Sequence, residues 1–131
     1  PVIARLKAAG CRVSLFIEPD EAPIAMAAKL GAPVIELHTG SWCHAVIDGE
    51  AAKAEAEFQR LAKGAALGAK LGLEVHAGHG LDYDTARTLA RVPAFVEFNI
   101  GHFLIGEAIF IGLEEAIRRM RQAMDEGRAG R

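Results

Sequence analysis

The chain has 131 residues, 51% apolar and 24% charged, with a formal net charge of −2. That composition is globular and long enough for one domain with a core, and it excludes a disordered chain. It offers no electrostatic footprint for nucleic acid, and no apolar run approaches the length needed to span a membrane. Cys11 and Cys43 lack metal-ligand spacing and are too few for a disulfide scaffold, so a reducing, cytoplasmic setting is expected.

In chain order, "PVIARLKAAG" reads as the last turns of a helix closed by Gly10. No initiator Met and no helix start precede it, so this stretch is expected to belong to something larger. Four β-rich runs follow: "RVSLFI" (12–17), "PVIELHT" (33–39), "LEVHAG" (73–78) and "FVEFNI" (95–100). Between the first two, Asp20 can cap a helix that runs to Gly31, with Pro33 barring its continuation. After the second run comes a loop with Trp42 and a turn at Asp48-Gly49. A long Ala/Glu/Lys-rich helix then reaches about residue 71. Asp82 or Asp84 caps a short helix ending before Pro93. The last helix is expected from about Glu107 to the polar tail, with Gly112 a mild weakness inside it. Arg118, Arg119 and Arg121 then complement the end of that helix as a solvated face.

Strands alternating with helices predict βα units and a parallel sheet. The strands have two unlike parities. One holds Val13, Leu15, Ile17, Ile35, Leu37, Leu73, Val75, Val96 and Phe98; the other holds Ser14, Glu18, Glu36, His38, Glu74, His76, Glu97 and Asn99, with Phe16 as an exception. Side chains alternate faces along a strand, so each strand has an oily side for helices and a polar side. An open doubly wound sheet needs apolar residues on both faces. An open four-stranded sheet standing alone would leave two unprotected edges and expose its polar face. The expected architecture is therefore the last four βα units of a (β/α)8 (TIM) barrel, a single domain over 1–131 whose N-terminal half is absent.

In such a barrel the site lies at the C-terminal ends of the strands, often with a phosphate at the last two βα loops. Here those loops begin "HAGHGLDY" and "NIGHFLIGE", each with Gly-His at a strand end before a helix. Glycine exposes backbone N–H groups and a helix N-terminus favours an anion; ordinary strand-to-helix turns would look the same. His79, between Gly78 and Gly80, suits proton transfer near neutral pH, against the plainer alternative of an exposed loop histidine. Glu36 could stabilise developing positive charge or share a proton, or it could pair with a basic group. Glu74 and His76 suit structural hydrogen bonding. Trp42 suits packing more than ring stacking, and His44 with Asp48 suits a solvated loop tip. A metal site built from His38, His76 and His79 lacks helix-ligand spacing and is not expected.

The stretches "RVSLFIEPD", "GAPVIELHTG", "LGLEVHAGHGLDY" and "EFNIGHFLIGEAIFIGLEEAIRRM" together resemble the pyridoxine 5′-phosphate synthase family, in its second half, over nearly the whole chain. The resemblance implies condensation of 1-deoxy-D-xylulose 5-phosphate with 3-amino-2-oxopropyl phosphate, releasing phosphate and water, with no metal or organic cofactor. It implies His79 as proton donor and Glu36 as transition-state stabiliser, with Gly80, Gly101 and His102 holding the phosphate of the amino-ketone. It also implies a homo-octamer whose partners are small phosphorylated substrates and inorganic phosphate, with no nucleic acid and no membrane. Two positions depart from the family: His76, where Asn is usual, and Glu107, where a basic residue is common. The alternative expectation is a non-catalytic, phosphate-binding half-barrel that pairs with itself to cover its polar face.

Overall fold

The computed structural model describes residues 2–130. Its strands are β1 (Ser14–Ile17), β2 (Val34–His38), β3 (Glu74–Gly78) and β4 (Phe95–Asn99). All neighbouring pairs are parallel and the strands follow one another across a single sheet. Each expected strand is present, trimmed by one or two residues. Seven helices lie among the described residues: α1 (Val2–Ala8), α2 (Glu21–Lys29), α3 (Gly40–Ile47), α4 (Ala51–Lys70), α5 (Tyr83–Leu89), α6 (His102–Ile111) and α7 (Leu113–Ala129).

The oily parity builds the core. Ile35, Leu37, Val75 and Ala77 are buried against Ile24 and Ala27 of α2 and Leu61 and Ala65 of α4. Small residues let α4 lie close to the sheet. A Cβ on Gly68 would come within 2.9 Å of Val75 and 3.0 Å of Ile35, a distance at which packed interiors have no room.

One parity assignment is overturned. Val96 is 59% exposed, whereas Phe95 is fully buried. The cause is a register shift: Val75 pairs with Phe95 but His76 pairs with Glu97. An extra residue in one strand hands the core position to its neighbour.

Three other expectations need correction. The segment after β2 is not a loop: α3 occupies it, and Trp42 is buried in that helix against Phe58, with ring centroids 5.6 Å apart. The last helix is two helices that begin at His102. Gly112, at φ +83, takes a left-handed conformation that divides α6 from α7 and does more than weaken one helix. Arg118 and Arg119 consequently sit in the body of α7, not near its end. Both bond Glu115 (2.7 Å) and hold its carboxyl at about 2, so pairing within the helix replaces the dipole argument.

Candidate active site at the strand ends

The polar parity of the sheet forms two rows. Phe16, Glu36, His76 and Glu97 are cross-strand neighbours, and His38, Gly78 and Asn99 form the row nearer the carboxyl ends. Around His76 the charge is met within the sheet. His76 is buried, with Nε2 2.7 Å from Glu74 Oε1 and Nδ1 3.2 Å from Glu97 Oε1. Glu74 is also ion-paired with Arg12, and those contacts, Arg12 first and His76 second, hold its carboxyl below the usual range. His76 is thus a structural bridge between two strands, as its place beside Glu74 suggested.

Glu36, from the same row as His76, reaches up to the row nearer the carboxyl ends. It is half-buried and accepts a hydrogen bond from Asn99 Nδ2 at 2.8 Å. Its carboxylate lies over Gly78: a Cβ there would stand 1.9 Å from Oε1. No other residue fits beneath that carboxylate. The basic partner offered as an alternative for Glu36 is not there among the described residues; its partner is an amide.

His79 has φ +79, the one non-glycine residue in the left-handed region among the described residues. A histidine there is strained, and such strain persists only where surrounding contacts impose it. The contacts are visible. Thr39, fully buried at the end of β2, places its hydroxyl 2.6 Å from the His79 carbonyl and 2.8 Å from that of Gly78. Its backbone N–H donates to the Gly78 carbonyl at 2.9 Å. Cys43 Sγ lies 3.8 Å from the His79 carbonyl, and burial pushes its thiol up to about 11. Gly80, also left-handed at φ +82, packs against Cys43, where an added Cβ would be 3.1 Å away. The backbone is therefore pinned while the imidazole projects outward, exposed and stacked on His38 with centroids 4.7 Å apart.

The two Gly-His loops are not equivalent. At α5 the helix N-terminus is already occupied: Asp82 accepts from the Thr85 N–H at 2.8 Å, and Thr85 Oγ1 accepts from the Asp82 N–H at 2.8 Å. The carboxylate uses the donors that an anion would need. At α6 the capping position is Gly101, no side chain caps the first turn, and Gly101 and His102 are both exposed. Nothing lies within 4 Å of where a Gly101 Cβ would be. Bare N–H groups at the positive end of a helix are the physical requirement for holding an anion. Glu107 on α6 faces Tyr83: burial first and then Glu107 raise that phenol above its ordinary value.

Among the described residues no three His, Cys, Asp or Glu side chains are grouped to hold a metal ion. His44 is exposed near the end of α3, and Asp48 is its C-cap. Sequence reasoning missed Thr39 and the partnership of Asn99 with Glu36. Only Asn99 left a signal, as a polar residue sharing the Glu36 parity on a nearby strand.

A single parallel sheet with one polar face, and ionisable groups gathered where its strands end, defines a protein of the parallel α/β class. The family model for pyridoxal phosphate biosynthesis protein PdxJ matches residues 1–126, and the chain belongs to that family. It is 67% identical over 129 residues to the pyridoxine 5′-phosphate synthase of Xanthobacter autotrophicus, covering 98% of this chain and 50% of that protein. It is 62% identical to the synthase of Rhodopseudomonas palustris, covering 98% of this chain and 51% of that protein. For the synthase of Caulobacter vibrioides the identity is 59% over 125 residues, 95% and 49% of the two chains. The chain spans about half the length of the curated relatives it matches.

Proposed function

We propose that this chain forms the second half of a (β/α)8 barrel with pyridoxine 5′-phosphate synthase activity. In that activity 1-deoxy-D-xylulose 5-phosphate and 3-amino-2-oxopropyl phosphate close a ring and release phosphate and water. The relatives bearing that name, and the family match over 1–126, support the reading. The self-assembling, non-catalytic module draws no support from them. The barrel form is favoured by the polar face, since Glu36, His38 and Asn99 need an enclosed polar interior, and by two strand edges that further strands would cover. The assembled protein is a cytoplasmic homo-oligomer.

The observation that carries the chemistry is His79, held in a left-handed conformation by Thr39 with its imidazole outward. In this reading His79 donates protons as imine and enamine intermediates form and water leaves. Glu36, held by Asn99, stabilises the positive charge that builds on nitrogen. The phosphate of the amino-ketone rests on Gly101, His102 and the open N-terminus of α6, with the Gly80 backbone closing the other side. The role of His79 is tested by His79→Asn in the full-length protein, for which turnover falls by about 10²- to 10⁴-fold. Wild-type turnover in that variant removes the assignment.

A further inference from the structure

We infer that His38 is a positioning residue, whose ring face sets the plane in which the His79 imidazole presents its proton. The inference rests on the proposed role of His79 and extends it. Among the described residues no hydrogen bond holds the ring of His79; its carbonyl is bound, but no polar contact fixes its two side-chain torsions. What holds the ring is the stack on His38, with centroids 4.7 Å apart and planes 23° from parallel. His38 is itself fixed. Its backbone lies in the β2 ladder, and Phe16 tilts against its ring at 5.1 Å.

Gly40 supplies the room. A Cβ there would come within 2.6 Å of His38 Cε1 and 2.8 Å of His79 Cδ2, so both rings press on the space that glycine leaves empty. His38 acts through its face and not through a proton. Its Nδ1 is buried without a hydrogen-bond partner; the Glu18 carboxylate lies 3.7 Å away, within ion-pair reach of a protonated ring but beyond hydrogen-bonding distance. An exposed proton donor at the end of a strained turn needs such a wall, because small errors in its direction cost rate while leaving binding intact.

The test compares three variants of the full-length protein by steady-state turnover of the two phosphorylated substrates. His38→Leu keeps apolar bulk without a flat face, and kcat is expected to fall roughly tenfold with KM changed less than about twofold. His38→Phe restores the flat face, and kcat is expected to return to within about threefold of wild type. His79→Asn is run beside them. Wild-type kcat in His38→Leu, or a phenylalanine variant as slow as the leucine one, overturns the inference. Should the leucine variant not fold, His38→Phe decides alone: a loss of tenfold or more overturns it. Wild-type turnover in His79→Asn overturns the parent reading instead, so the two failures are distinct.

Discussion

The loops after β3 and β4 start from the same Gly-His pair and reach opposite physical states. After β3 the backbone is strained at His79 and Gly80, bonded to Thr39, packed on Cys43, and followed by a helix whose N-terminus is capped by its own Asp82. After β4 the backbone is unstrained at Gly101, the space around it is empty, and the helix N-terminus is uncapped. A rigid loop with a projecting imidazole suits directing a proton. An open helix end suits receiving an anion. The same dipeptide serves either purpose because its neighbours decide: Asp82-Tyr83-Asp84 closes one helix, and Phe103-Leu104-Ile105 leaves the other bare.

The comparison predicts unequal tolerance of an added methyl. Gly78→Ala drives a Cβ to within 1.9 Å of Glu36 Oε1. It is expected to lower stability by about 1–3 kcal/mol and to displace the carboxylate, measured by denaturant unfolding and by turnover. A Gly78→Ala protein with wild-type stability and rate would show that the β3 end is not tightly built. Gly101→Ala meets nothing and keeps φ near −110, so its unfolding midpoint should match wild type.

A smaller effect separates the surroundings of His76 from the loops. Arg12 and His76 depress the Glu74 carboxyl below its ordinary 4.5. A depressed folded-state value adds stability above the ordinary value, and that stability is lost as pH falls through the folded one. Unfolding midpoints followed from pH 7 downward should therefore drop through the acid range, and less steeply in Glu74→Gln. Equal acid slopes would remove Glu74 from the account. Smallest of all is a reactivity contrast. Cys11 is exposed, whereas burial holds the Cys43 thiol up to about 11. A thiol reagent at neutral pH should label Cys11 and spare Cys43, and equal labelling would mean that the wall behind His79 opens.

Much of this was legible in the sequence because it depends on period. Alternation along four short runs located the strands, the polar face and Glu36 upon it, while the flanking glycines at the strand end marked His79. What escaped depends on register and on contacts between distant segments. No local pattern marks the register shift that exchanges Phe95 for Val96. Gly112 reads the same whether it weakens one helix or divides two; its φ of +83 decides. Thr39 looks like an ordinary strand end until its hydroxyl is seen within 2.6 Å of a carbonyl 40 residues away. Trp42 could pass for a loop residue because α3 follows β2 with almost no turn between them.

The most direct test of the division between the loops is the equilibrium affinity of the full-length protein for 3-amino-2-oxopropyl phosphate, measured for His79→Asn and Gly101→Ala side by side. The account predicts that His79→Asn binds within about threefold of wild type. It predicts that Gly101→Ala binds roughly tenfold more weakly, because its methyl keeps the phosphate from the bare N–H groups of α6. The reverse order, with His79→Asn losing affinity and Gly101→Ala retaining it, would place the phosphate on the β3 loop and contradict the account.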